Sequence, residues 1–215
     1  MKKRLELKEF ISNSTDDILK EYTEKLYENL KIANQEAEKF WIRFVFIFLV
    51  YILIKVSKNQ QIDLGIITVQ DISIIIKILP LITVYVLINN ITIEDTRKEL
   101  VFSINAILEK RYNLRKNFNI KKTYPTNYVT QLFIPFSKSL SIIHLNKPKG
   151  FLKFISLIVF IGAFFISLMP YFLFLYMLYD CYINYTNDSL GILSFSIAIL
   201  GAIILLIYLI LRKKD

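Results

Sequence analysis

Hydrophobic residues are concentrated in four long runs of the chain, and polar segments separate these runs. The two longest runs carry no charge: 154–179 has 26 residues and 189–211 has 23. A helix needs about 20 apolar residues to cross the hydrocarbon core of a bilayer. The other two runs are less clearly membrane spans. Lys77 interrupts the run at 72–91, and the uncharged part of the run at 41–56 is 11 residues long. The pattern predicts an all-α, multi-pass membrane protein with about four spans, at 41–56, 72–91, 153–179 and 189–211.

Residues 1–40 have a helical pattern that lies outside any apolar run. Ser14 and Thr15, followed by two aspartates, are typical of a helix start, because a hydroxyl caps free amides and carboxylates suit the positive end of the dipole. Neither Pro nor Gly occurs between Ser14 and Lys58, so the sequence predicts one helical stalk that continues into the first span. Its apolar stripe consists of Ile18, Tyr22, Leu26, Leu30 and Ala33.

This stripe has two explanations. It packs against the protein's own cytoplasmic loop, or it forms a coiled coil with a partner protein or a second copy through residues 14–40. The stripe covers fewer than three heptads, so packing against the loop is favoured.

The connections between the runs differ in length and character. In 57–71, β-branched residues on both sides of Gly65 predict a small extracytoplasmic β-hairpin. The long segment 92–152 begins with a predicted helix at 94–112, which continues the second span, and contains an interfacial segment at 128–145.

The last two spans are joined by a short connection, so they form an antiparallel hairpin. Ser194, Ala198 and Ala202 recur every fourth residue in the fourth span, and Ala163 and Ser167 have the same spacing in the third. Small residues at this spacing allow helix backbones to approach closely in lipid. We expect these five residues to form the face on which the two helices pack.

Charge placement predicts the orientation. Segment 92–152 has eleven basic and four acidic residues, whereas 57–71 has one basic residue and 180–188 has none. Positive flanks stay inside, so both termini and the long loop are predicted to be cytoplasmic, in a plasma or inner membrane. A soluble protein with this charge pattern would be expected to bind nucleic acid, but anionic lipid is the better partner for a membrane protein. The predicted lipid contacts are Lys110, Arg111, Arg115, Lys116, Lys121 and Lys122.

The sequence contains no recognisable catalytic, cofactor or metal site. His144 is the one histidine and Cys181 the one cysteine, and the predicted topology places them on opposite sides of the membrane. Lys77 lies near the outer end of its span, where a lysine usually snorkels, although a gate or counter-ion is the alternative. The polar residues available to line a pore are Lys77, Thr83, Asn89 and Asn90.

Three functions fit this pattern. The favoured one is a non-catalytic, membrane-anchored interaction or assembly protein, because nearly half the chain lies on one face. The alternative is an oligomeric channel or membrane-disrupting effector, and the third is a lipid-acting enzyme that uses 128–145. The abundance of Ile, Asn and Lys is typical of proteins from AT-rich bacterial genomes.

Overall fold

Five helices make up most of the part of the chain that the computed structural model describes, which is 2–56, 62–63, 68–69, 72–112 and 151–212. The interfacial prediction at 128–145, His144 and the predicted lipid contacts Arg115, Lys116, Lys121 and Lys122 lie outside these residues. The helices are α1 Lys2–Asn13, α2 Asp16–Val56, α3 Ile72–Arg111, α4 Phe151–Tyr185 and α5 Ser189–Arg212.

Two of these helices are unusually long, as the absence of breakers predicts. α2 has 41 residues, and its first intrahelical bond joins the amide of Leu19 to the carbonyl of Thr15 at 3.1 Å. α3 has 40 residues and continues through Pro80 and the segment predicted as the helix 94–112. The helical stalk and the extension of the second span are therefore both present.

Three helical segments in the described residues are long and apolar enough to cross a membrane: Ser73–Arg111, Ile161–Tyr185 and Ser189–Leu211. The chain is thus a helical protein with the composition of a membrane protein. Only three of the four predicted spans are found among the described residues, and the missing one is the predicted span at 41–56 in α2. Its last 18 residues, 39–56, contain the three basic residues Lys39, Arg43 and Lys55. Each charge opposes insertion into hydrocarbon.

The β-hairpin predicted between α2 and α3 is not supported. The described residues there are two strands of two residues each, Ile62–Asp63 and Thr68–Val69, paired antiparallel with Ile62 opposite Val69. So short a ladder has too few backbone bonds and too little buried surface to be a stable hairpin. The surrounding residues 57–61, 64–67 and 70–71 are outside the described part.

The described residues belong to two compact units. Unit 1 comprises Met1–Glu38 with Thr92–Asn146, and unit 2 comprises Lys39–Ile91 with Lys147–Asp215. Helices α2 and α3 therefore contribute residues to both units.

The core of unit 1 lies between α1, α2 and α3, and its phase on α2 differs from the prediction. Leu26 and Leu30 are buried as expected, but Ile18 is 50% exposed and Leu19 is buried instead. The buried stripe is shifted by one residue around α2, because α3 packs on the face that contains Leu19. The stripe is thus buried by the protein's own chain, which agrees with the favoured explanation of packing against the long loop segment. The residues that form this core are Ile11, Leu19, Leu26, Leu30, Ile104, Ala106, Ile107 and Leu108.

The core of unit 2 takes residues from α2, α3, α4 and α5, yet it leaves most of the apolar surface of α4 and α5 uncovered. Only 22% of the residues in the apolar window of α4 and 17% of those in α5 are buried. Exposed leucine, isoleucine and phenylalanine side chains on this scale mark a surface that contacts lipid or other protein. The fully buried members include Phe44, Ile47, Tyr51, Ile54, Leu79, Leu87, Phe174, Met177 and Ala198.

The predicted packing face of the last two helices is only half right. Ser194 and Ala198 of α5 are buried, but Ser167 of α4 is exposed. On α5, the hydroxyl of the small residue Ser194 donates to the carbonyl of Lys77 on α3, so this position contacts α3. Small residues indicate where a close neighbour is tolerated, but they do not identify that neighbour.

Candidate functional site

The ends of two helices and the starts of two others bring charged side chains together in unit 2. α2 and α4 contribute residues from their last turns, and α3 and α5 contribute residues from their first turns. We call this group the polar end cluster. Its members are Tyr51, Lys55, Lys77, Asp180, Asn184, Asp188 and Ser194.

Asp180 is the most buried charge of the polar end cluster, with 7% of its surface exposed. One carboxylate oxygen accepts the hydroxyl of Tyr51 at 2.9 Å. The other accepts Lys55 Nζ at 2.6 Å and the side-chain amide of Asn184 at 2.8 Å. A buried carboxylate is stable when a cation and hydrogen-bond donors replace the water it has lost. Asp180 thereby connects α4 to the end of α2.

A second ion pair connects α3 to the start of α5. Lys77 is 9% exposed, and its Nζ lies 2.8 Å from Asp188 Oδ2. Asp188 is the N-cap of α5, because its Oδ1 accepts the Gly191 amide at 3.0 Å. The hydrogen bond from Lys77, followed by that from the Gly191 amide, lowers the pKa of Asp188. A β-carbon at position 191 would overlap the carbonyl of Tyr185, so this turn requires glycine.

The structure does not bring the four predicted pore residues onto one face. Lys77 is paired as described, and Thr83 is buried, with its hydroxyl donating to Leu79 O at 2.7 Å. Asn89 and Asn90 are half-buried. Since a helix turns by about 100° per residue, only Thr83 and Asn90 share a face of α3. These positions do not describe a continuous polar lining along α3.

Two of the predicted lipid contacts have protein partners in unit 1. Lys110 Nζ donates to the carbonyl of Ile11 in the last turn of α1. Arg111 Nε lies 3.2 Å from the carboxylate of Asp16 in the first turn of α2. The end of α3 is therefore tied to the corner between α1 and α2, a role that the charge count alone did not reveal.

Unit 1 contains a buried arginine that the sequence analysis missed. Arg97 is 4% exposed, and its Nε donates to Asn34 Oδ1 at 2.8 Å. Its guanidinium also pairs with Glu94, one helical turn earlier, at 2.5 Å. The i,i+3 spacing of Glu94 and Arg97 is visible in the sequence, but the burial of both Asn34 and Arg97 depends on how α2 and α3 pack.

Two other polar groups in the core of unit 1 have no hydrogen-bond partner among the described residues. They are the side-chain amide of Asn105, which is 1% exposed, and the hydroxyl of Tyr27. Burial, with a smaller contribution from Tyr112, raises the pKa of Tyr27 to about 12. An unsatisfied buried amide costs about 1–3 kcal/mol. These groups therefore make the core of unit 1 less stable than an apolar one.

An open groove of about 300 Å³ runs between α2 and α3 within unit 1. Its walls are mainly apolar, and Ile32 is 58% exposed along it. Among the described residues, Glu36 is the only charged one that lines it. We call it the unit 1 groove; its lining residues are Asn29, Ile32, Ala33, Glu36, Thr92, Ile93, Thr96 and Leu100.

The described residues contain no group of three histidine, cysteine, aspartate or glutamate side chains that could hold a metal ion. Cys181 is buried and forms no disulfide. Comparison of the chain with protein-family models, with curated proteins and with solved structures finds no match in any of the three.

Proposed function

We propose that this chain is a membrane-anchored, non-catalytic interaction protein in which unit 2 lies in the bilayer and unit 1 binds a partner protein. The observation that carries the proposal is the unit 1 groove. It is an open, mainly apolar surface on a unit whose fully buried core is formed by other residues.

For the anchor, we propose four crossing helices, with the end of α2 added to the three apolar spans. One face of α2 belongs to the core of unit 2 through Phe44, Ile47 and Ile54. Its other face is apolar and uncovered: Phe46 is 67% exposed and Leu53 is 63% exposed. A helix with a protein-facing and a greasy outer face suits a position at the edge of a bundle in lipid. The charge bias then favours cytoplasmic termini in a plasma or inner membrane.

For the groove, we propose an amphipathic helix of a partner protein as the occupant. A groove between two helices receives a row of side chains from a third helix. Ile32 and Leu100 supply apolar walls for such a row. A volume of about 300 Å³ accommodates a few aliphatic side chains, which suits a modest, reversible contact.

A matched pair of tryptophan variants tests this proposal. Thr96→Trp fills the groove, whereas Lys98→Trp places the same side chain on an exposed position of α3 that does not line it. The full-length protein is purified in mild detergent, and co-purifying proteins are quantified against both variants. We expect a partner that is lost by about tenfold or more with Thr96→Trp and retained with Lys98→Trp. Partners that are equally retained, or equally lost, in both variants would refute the proposed docking surface.

The partner contact can also be located directly. A photo-crosslinking amino acid at position 32 should react with the partner, and the crosslinked peptide should have apolar residues at helical spacing. The same amino acid at the exposed position 20 should not give that product. A crosslink to an extended or wholly polar peptide would exclude a helix as the occupant.

A further inference from the structure

α2 is the weakest membrane helix of unit 2 when it is considered by itself. Among the described residues, α3, α4 and α5 each contain a segment apolar enough to cross a membrane, whereas the described part of α2 ends at Val56 and has three basic residues in its last 18 positions. Its uncharged stretch, Phe44–Ile54, has 11 residues and is bounded by Arg43 and Lys55. A segment of this length and charge is a poor candidate for independent insertion.

The exposed side chains of α2 are nevertheless apolar, so in the folded protein this helix is best suited to an apolar environment. Ile42 is 71% exposed and Val56 is 73% exposed, so apolar side chains also point outward just beyond Arg43 and Lys55, which bound the uncharged stretch. Phe44, Ile47, Tyr51 and Ile54 are buried in the core of unit 2. The folded position of α2 thus conflicts with its own weak tendency to insert.

The ion pair between Lys55 and Asp180 lowers the cost of placing the charged end of α2 in an apolar environment. Lys55 is the charge at the end of α2, and the side-chain carboxylate that holds it is 8% exposed and lies on α4, 125 residues later. The ring of Tyr185, also on α4, lies 5.6 Å from Lys55 Nζ. A cation costs less in an apolar environment when an anion and an aromatic face compensate its charge. The compensating groups become available only after α4 has been made and inserted.

We infer that Asp180 is a positioning residue for membrane insertion: α2 crosses the bilayer stably only when the carboxylate of Asp180 on α4 neutralises Lys55. This inference rests on the four-helix anchor proposed above. On this inference, α2 crosses the bilayer only after α4, which lies much later in the chain, has been inserted and supplies Asp180. The other ion pair, Lys77 with Asp188, has no such role, because α3 is apolar enough to cross without it.

Cysteine labelling of the full-length chain in membranes tests the inference. With Cys181→Ala as background, a single cysteine is placed at position 20 or at position 60, and a membrane-impermeant maleimide reports which side each position faces. In the otherwise unchanged chain, positions 20 and 60 should face opposite sides. Asp180→Asn should reduce the ratio of crossed to uncrossed chains by roughly five- to tenfold.

Two further variants separate charge neutralisation from general damage to the fold. Adding Lys55→Leu to Asp180→Asn removes the charge that needs a partner, and crossing should return to the original level. Asp188→Asn, the matched control, should leave crossing unchanged. Normal crossing in Asp180→Asn, failure of Lys55→Leu to restore it, or an equal loss in Asp188→Asn would each overturn the inference. If positions 20 and 60 already face the same side in the unchanged chain, the four-helix anchor itself is wrong.

Discussion

Lys77 and Asp188 are 111 residues apart in the chain, and their charged groups lie 2.8 Å from each other. The same carboxylate accepts the amide of Gly191, so one side chain both caps α5 and holds α3. From its position near the end of a span, Lys77 is expected to snorkel, with a gate or a counter-ion as the alternative. The structure shows a third arrangement, in which the ammonium group is paired where the chain turns into its last helix.

The pairing of Asp188 should make the stability of unit 2 depend on pH. Its folded-state pKa is lowered, mainly by Lys77, so the carboxylate contributes stability that is complete above the ordinary aspartate pKa of about 3.9 and disappears as the pH falls through the folded-state value. We expect the wild type to melt at a higher temperature than Asp188→Asn from about pH 5 to 8, with a difference that shrinks below about pH 4. Asparagine keeps one oxygen that caps the helix, and it removes the charge together with the oxygen that accepts the hydrogen bond from Lys77.

Thermal unfolding in detergent, followed by circular dichroism across this pH range, measures that difference. A gap between wild type and Asp188→Asn that stays constant down to the lowest pH would contradict the assignment, because it would mean that the charge of Asp188 is not responsible.

Gly201 should tolerate a methyl group much less well than Gly162 does. A β-carbon at position 201 would lie 2.9 Å from both γ-carbons of Val84, whereas position 162 has nothing within 4 Å. Gly201→Ala should destabilise the protein by about 1–3 kcal/mol through overpacking of α5 on α3. Gly162→Ala should be neutral or stabilising by up to about 1 kcal/mol, owing to its higher helix propensity. Equilibrium unfolding in mixed micelles compares the two, and equal effects would argue against the close approach of α5 and α3.

Loss of the Asn34 side chain should destabilise unit 1, because it leaves the buried Nε of Arg97 without its acceptor. We expect Asn34→Ala to reduce the free energy of opening by about 1–3 kcal/mol. Native-state hydrogen exchange of the amides in 19–34 reports this quantity. The control is Lys25→Ala, which breaks the exposed Glu21–Lys25 pair and should cause no measurable change. Equal protection in Asn34→Ala and wild type would mean that Arg97 does not depend on this acceptor.

In contrast to substitution of Asn34, substitution of Asn105 should increase the stability of unit 1. Its amide is buried with no hydrogen-bond partner among the described residues, so Asn105→Leu should stabilise unit 1 by about 1–2 kcal/mol. The same exchange experiment measures the gain. A loss of stability would instead show that the amide is satisfied by an ordered water molecule.

Several parts of the fold could be predicted because they depend only on neighbouring residues. The length of α2 follows from the absence of Gly and Pro between Ser14 and Lys58, and the start of α2 follows from the residues at Ser14–Asp17. α5, Ser189–Arg212, agrees closely with the predicted span at 189–211, because a run without charges has a clear beginning and end.

Other features could not be predicted, because they depend on which distant residues become neighbours. The buried stripe of α2 includes Leu19 and not Ile18, a shift of one residue that the position of α3 decides. Ser194 of α5 bonds to the backbone of α3, whereas Ser167 of α4, which was predicted to pack on α5, is exposed. Nothing local to Lys55 indicates Asp180 as its partner.

The sequence by itself therefore determined that the chain forms long helices, where α2 begins, the bounds of α5, and that several helices are suited to hydrocarbon. Helix formation depends on residues three or four positions apart, and the preference for lipid depends on composition, so both can be read along the chain. Only the tertiary structure decided the phase of each buried face, the partners of the charged residues and the position of the groove. Those depend on side chains from separate helices meeting in space, and a carboxylate such as Asp180 selects its cation only after the helices have packed.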